Sequence, residues 1–413
     1  MLGRSLALPS IALILMFSPR IKRGVFWLEG LNAIATTWYF YFIFFFLEEQ
    51  FHFDKQKNLI WAAALGFVFI FAAMLGGKVG QRLGYFRALA FGFATLSLSL
   101  FTGIWLEGEY QHLAVLLVAG AGMCFTWPNL EALVAEGESR AALQRNLGIY
   151  NLVWSGGNAV AYFSGGILLD HLGARAIFAL PAVIIFGQFL LTLRLHAVSQ
   201  REPAPVHSAA AAVTESALSS AGERQRSPVP PATFMLMSWI ANPFSYVAVN
   251  TAVPLIPFLA GQLQLTPTTA GIVCSVWIFA RTLAFGLLWK WAGWHYRYRF
   301  LSAAYVAMVV GFLGIVLAGS IAALIVAQII FGVALGLIYY SSLFYSMDVG
   351  DTKGEHGGLH EGTIGMGIFA GPAIAVVASH FFPGRPNAGV IAVGITLLLG
   401  FGLLNLLRWR RTN

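Results

Sequence analysis

The chain has 413 residues, 58% of them hydrophobic and only 10% charged, with a mean hydropathy of +0.74. A soluble domain carries about 25% charged residues, so a chain this poor in charge cannot clothe a globular surface and must present much of itself to lipid. The formal net charge of +8 does not mark a nucleic-acid partner, because the basic residues fall in short clusters between apolar runs and form no continuous basic face.

The first apolar stretch, Ser5 to Phe17, is about 13 residues, too short to span a bilayer. Ser18, Pro19, Arg20, Lys22 and Arg23 follow where a cleavable leader would need small residues, so residues 1–24 are expected to lie on the cytoplasmic face as an interfacial segment. Runs long enough to span follow at about 25–47, 58–75, 88–105, 113–134, 146–169 and 176–195, then at about 234–259, 267–289, 300–318, 321–344, 359–381 and 387–407. The expected organisation is a six-helix bundle over about 25–196, a linker over about 197–231, a second bundle over about 232–407 and a short cytoplasmic tail over about 408–413. The linker is rich in Ala, Ser and Pro, carries Arg201, Arg224 and Arg226, and cannot bury enough apolar area to fold. The fold class is an all-α membrane protein of about twelve transmembrane helices in two six-helix pseudo-repeats.

Twenty Lys and Arg residues fall on one side of this arrangement and four (Lys55, Lys57, Arg175 and Arg385) on the other. The positive-inside rule puts the richer side, with both termini, in the cytoplasm, and a bacterial inner membrane is the expected location. A shift of 209 residues lays Val25 onto Phe234, Leu113 onto Ala322, and Gly77 and Gly84 onto Gly286 and Gly293. Parallel repeats of six helices recur among transporters. Cys124 and Cys274 each sit inside an apolar run and read as isolated core residues.

Between the second and third runs stands Gly77-Lys-Val-Gly-Gln-Arg-Leu-Gly-Tyr-Phe-Arg87. It resembles the Gly-x-x-x-Asp-Arg-x-Gly loop of the major facilitator superfamily. Gly77, Arg82 and Gly84 match, and Gln81 replaces the usual Asp. The resemblance implies a gate latch on the cytoplasmic side, here with a neutral hydrogen bond in place of a charged one. Antiporters of that family carry Gly-Pro late in helix five; here that helix runs from Trp154 to Gly166 without proline, and Gly371-Pro372 lies in helix eleven.

The resemblance also implies that helices one, four, seven and ten line a central cavity. On helix one, Glu29, Asn32, Thr36 and Tyr39 share a face. Helix seven offers Ser238, Asn242 and Ser245, helix four Cys124, Trp127 and Glu131, and helix ten Tyr340, which the 209 shift pairs with Glu131. Such stripes also suit hydrogen bonds between helices. Arg281 lies about 12 Å inside the eighth run at helical rise. Burying it costs roughly 3 kcal/mol, so an anionic group of a solute or an ion-pair partner, with Glu131 as the candidate, is expected there. Trp277, one turn earlier, is placed to shield it.

Taken out of water, a carboxyl holds its proton more tightly, and a nearby arginine releases it. Glu29, Glu131 and Glu361 are therefore the coupling candidates, with His360 at the gate. His380 is placed near the outer end of helix eleven. Trp38, Tyr41, Trp239, Tyr246 and Tyr339 read as packing or interfacial anchors. The function expected is secondary transport of a small organic solute, possibly carboxylated, coupled to protons or to exchange. An exporter of amphipathic drugs or lipids and a transporter-like sensor without flux are the alternatives. An enzyme is set aside because the outer loops are short and poor in metal-ligating residues. A monomer without metal or cofactor is expected.

Overall fold

The computed structural model describes residues 17–138, 140–202, 229–349 and 353–412. The segment up to residue 16 and most of the expected linker, 203–228, lie outside the described residues. Within them, twelve helices are long and apolar enough to cross a membrane. The first six are α1 (Pro19–Phe51), α2 (Lys55–Leu83), α3 (Tyr85–Gly103), α4 (Glu109–Ala135), α5 (Ala142–Leu172) and α6 (Ala176–Ser199). The second six are α7 (Pro231–Gln262), α8 (Pro267–Lys290), α9 (Tyr298–Val316), α10 (Ile321–Val349), α11 (Lys353–Phe381) and α12 (Ala388–Arg411). No strand occurs among the described residues.

Most helices overrun the apolar runs that announce them, because capping chemistry and not hydropathy decides where they begin. Ser18 accepts the Ile21 N–H and Pro19 occupies the first turn of α1, where its missing N–H costs nothing. Asp54 accepts the Lys57 N–H at 2.7 Å to open α2, and Thr266, followed by Pro267, opens α8. The glycine motif behaves likewise. Helix α2 continues to Leu83, so Gly77, Gln81 and Arg82 are helical, and Gly84 alone turns the chain into α3 with φ +101°. An L side chain rarely adopts that backbone conformation.

Three spans are interrupted. Helix α4 breaks at Cys124–Thr126, ahead of Pro128, which has no N–H to continue the ladder. Helix α7 tightens to a 3₁₀ turn at Val253–Leu255, which contains Pro254 and is followed by Pro257, between helical segments. Helix α8 breaks at Ser275 with no proline nearby.

The two sets of six begin about one turn further apart than the glycines suggest. Pro19 and Pro231, Lys55 and Pro267, and Ala176 and Ala388 are each 212 residues apart. The structural counterpart of Gly84 is therefore Tyr296, which also has a positive φ, of 52°, and not Gly293. Pairings taken from the 209 shift, including Glu131 with Tyr340, are three residues out of register.

Helices α2 and α11 pack along each other, and α5 packs on α8, joining the halves. Glycines permit these approaches. A Cβ on Gly66 would stand 2.2 Å from the Phe369 nitrogen, and one on Gly166 would stand 2.1 Å from the Pro267 carbonyl oxygen. The outward faces are apolar: Phe67, Phe71 and Leu75, one turn apart on α2, are more than half exposed. In water such a stripe would invite aggregation; in a bilayer it is the lipid-facing side. The end holding the α2–α3, α4–α5 and α8–α9 connections is called the basic end below, and the other the far end.

Candidate solute-binding site

Where the halves meet, eight helices surround a central cavity of about 100 Å³. Thr36 and Tyr246, near the middle of α1 and α7, mark its level. Its wall is mostly aromatic, with Phe40, Tyr41, Phe44, Phe69, Trp127, Trp154, Tyr246 and Tyr339, and its polar points are Thr36, Thr37, Asn158, Asn250, Arg281 and Glu361. Among the described residues, Arg281 is the only basic residue of the lining and Glu361 the only acidic one.

Arg281 is 3% exposed. Its guanidinium lies 4.4 Å from the Trp154 ring centroid and 4.8 Å from that of Trp277. Cation–π contact of this kind holds a guanidinium without neutralising it. Its Nε and Nη2 have no hydrogen-bond partner among the described residues, and no carboxylate there is within ion-pairing distance. The ion pair with Glu131 is thus not formed. Buried donors left unpaired are costly, and a bound anion would satisfy them.

Toward the basic end the cavity meets a second cluster. Ligating atoms of Glu131, His360 and Glu361 lie within 4.8 Å of one another, all buried, close enough to share a proton or, on spacing alone, to surround a cation. The Glu131 carboxylate accepts from the Tyr339 hydroxyl at 3.3 Å and stands 4.0 Å from His360 Nε2. Ser342 Oγ, 3.0 Å from His360 Nδ1, fixes the ring. Trp154 stacks on Tyr339 at 4.8 Å and 12°, so an unbroken file of contacts runs from Arg281 through Trp154 and Tyr339 to Glu131. Glu29 is fully buried beside Tyr150 and Trp127.

Of the residues chosen from sequence, Thr36, Trp127, Arg281 and Glu361 line the cavity, while Asn32, Tyr39, Asn242, Ser245 and Tyr340 do not. Asn32 donates to Thr126 at 3.2 Å within the first half. Tyr39 turns to Phe178 of α6, and Ser245 bonds the Asn242 carbonyl. Asn242 is buried with its side-chain amide unpartnered. Tyr340 packs on Phe285 and Trp294 inside the second half; its neighbour Tyr339 takes the cavity position, because adjacent residues on a helix point about 100° apart. Tyr41, Tyr246 and Tyr339 are wall residues and not membrane anchors, whereas Trp38 and Trp239 do bond across helices, to Ser164 and Ser346. His360 belongs to the buried cluster, and His380 is exposed at the far end of α11. Trp154 and Asn158 were not singled out. Asn158 follows Asn146 and Asn151 on the same helix, and nothing in the run of amides sets it apart.

Both ends of the cavity are crossed by contacts between the halves. At the basic end a Cβ on Gly77 would stand 2.5 Å from the Gly354 carbonyl oxygen. Gln81 Oε1 accepts the Gly354 N–H at 2.9 Å, at the start of α11, and Tyr85 Oη is 2.9 Å from Gln81 Oε1 and from Glu136 Oε2. Arg82 is exposed. Lys22, counted with the loop cations in the sequence, is buried. It donates to the Leu133 and Val134 carbonyls at 2.7 and 3.0 Å and pairs with Glu138 at 3.0 Å, capping the end of α4. At the far end Asn58 reaches the Pro254 carbonyl at 3.5 Å, and the Thr268 N–H donates to Asp170 at 3.0 Å.

Two repeated sets of six apolar helices around an aromatic and polar cavity, crossed at each end by contacts between the halves, have the architecture of a membrane transporter of small molecules. The chain belongs to the major facilitator superfamily, whose profile matches residues 25–244, more than half of its length. It is an integral membrane protein and a secondary transporter. An uncharacterized MFS-type transporter of Bacillus subtilis (strain 168), YhjO, is 24% identical over 168 residues, so the match spans 41% of each chain. The crystal structure of the human organic anion transporter MFSD10 (TETRAN) shares the fold, with a TM-score of 0.67 over 94% of this chain and 100% of that one, at 15% identity.

Proposed function

We propose that this transporter carries a small organic solute with a single carboxylate-like group and an apolar or aromatic body, by alternating access. The observation that carries the reading is Arg281: a buried guanidinium with two unpaired donors, no acidic partner and a place in the cavity wall. A planar carboxylate can accept from two edge donors at once. A second negative charge on the solute would find no other cation in the lining, and only Glu361 as a charged neighbour. The aromatic wall suits the solute body. The fold shared with the human organic anion transporter does not carry this reading; the guanidinium does.

Glu131 and Glu361, with His360, are the proposed coupling site. A proton arriving through the cavity meets Glu361 first, and the Trp154–Tyr339 file ties that cluster to Arg281. Exchange of a proton or of a second solute would then drive the cycle. The basic end faces the cytoplasm of a bacterial cell in this reading, with the Gly77–Gln81 contacts as the inner gate. The test is a thermal-shift series on purified protein, since a compound bound only by the native state raises apparent stability. Aromatic monocarboxylates should raise the melting temperature, their neutral amides should not, and equal shifts for both would contradict the assignment.

A further inference from the structure

The break in α8 has an unusual cause. In a continuous helix the Trp277 N–H would bond the Val273 carbonyl, the ordinary link of a residue to the fourth before it. That bond is absent. The side-chain amide of Gln328, from α10, stands in its place: Nε2 donates to the Val273 oxygen at 3.0 Å and Oε1 accepts the Trp277 N–H at 3.4 Å. Gln328 is 1% exposed, so both freed backbone groups depend on this one side chain. A side chain inserted into the helical ladder is a recognised cause of such an interruption, and no proline falls at the break.

What rides on the break is the anion site. Trp277 is the first residue past Ser275 and Val276, and Arg281 follows it by one turn. On α10, Gly332 and Gly336 continue the Gln328 face. A Cβ on Gly332 would stand 2.0 Å from the Trp277 oxygen, and one on Gly336 3.7 Å from Arg281 Cγ. Among its described residues the first half has no such device. Helix α2, in the place of α8, is one unbroken helix. At the 212 offset, Leu116 and Phe69 stand where the second half has Gln328 and Arg281; at 209 the residues are Ala119 and Ala72. The inserted amide and the cavity arginine occur together in one half and are both missing from the other.

We infer that Gln328 is the positioning residue for Arg281: its amide, threaded into the α8 ladder, holds open the break that sets where the guanidinium enters the cavity. Without it the Val273–Trp277 bond can close, the α8 ladder runs unbroken, and Trp277 and Arg281 shift from their present places. The inference extends the anion reading but is tested separately from it.

The experiment uses the full chain in detergent. Phenylglyoxal reports on the Arg281 guanidinium, read by mass spectrometry on the peptide that carries it. The pair 4-phenylbutyrate and its neutral amide reports on recognition. Gln328→Met keeps length and packing but can hold neither backbone group. It should purify intact, change the Arg281 modification rate at least fivefold, and lose the preference for acid over amide to the level of Arg281→Gln. Gln328→Glu, which keeps the acceptor for Trp277, should recover part of both, and it carries the measurement if the methionine variant is unstable. An unchanged modification rate overturns the inference, whatever the probes do. A changed rate with no acid preference in the wild-type protein supports the positioning role and refutes the anion reading instead.

Discussion

Removing the Arg281 guanidinium strands no acid, because no carboxylate is paired with it among the described residues. Arg281→Gln should therefore fold and melt at or above the wild-type temperature, since a buried uncompensated charge is lost. Its affinity for an anionic solute should fall about tenfold to a hundredfold, the size of a charged hydrogen bond or two. Arg281→Lys should be impaired as well, since an ammonium lacks the planar fork and stacks less well on Trp154. Wild-type affinity in the lysine variant would remove the bidentate geometry from the account. At the carboxyl cluster, Glu131→Gln and Glu361→Gln should abolish accumulation driven by a pH gradient while solute exchange persists. Accumulation surviving both changes would take coupling away from this cluster. Arg281 was legible in the sequence because a charge inside an apolar run is expensive and therefore conspicuous. Trp154, Asn158 and Gln328 were not, because an aromatic or an amide in such a run most often packs or bonds locally, and only the third dimension shows which faces the cavity.

The proposed inner gate is set at the level of helix ends. Gly84 turns α2 into α3 at φ +101°, yet a Cβ there would meet nothing within 4 Å. Gly84→Leu therefore acts through backbone strain, on the order of 1–3 kcal/mol, and should slow transport with little loss of expressed protein. Gly77 is the opposite case, with ordinary helical backbone and no room: Gly77→Leu should push α2 from the start of α11 and open the basic end. Cysteine cross-linking between residues 78 and 355 gives the comparison. Its yield should collapse in Gly77→Leu, and equal yields in both variants would separate the gate from this glycine. The helices themselves were legible as runs of the right length. Their ends were not, since caps such as Ser18, Asp54 and Thr266 lie in polar sequence that hydropathy counts as loop. The breaks at Pro128 and Pro254 have a signal in proline. The break at Ser275 has none, because its cause is on another helix. The glycine pairs suggested a repeat of 209, while the helix starts are 212 apart. Glycines answer to local contacts with a neighbouring helix, and those contacts differ between the halves.

Across the whole molecule, the lipid-facing stripes and the two halves follow from composition and periodicity, while a cavity between them is what the family resemblance implies. The proposed orientation follows from the distribution of Lys and Arg. A reporter at the C-terminal Asn413 should read cytoplasmic and one near Lys55 external, and a cytoplasmic signal at Lys55 would reverse the assignment. The solute is not written in the apolar pattern, which a great many transporters share; it is written in the few residues that break the pattern. The most direct measurement is uptake of 4-phenylbutyrate into proteoliposomes holding the wild-type protein or Arg281→Gln, with and without an imposed pH gradient. The account predicts accumulation in the wild type that needs the gradient and is lost with the guanidinium. Equal uptake by the two proteins would contradict it.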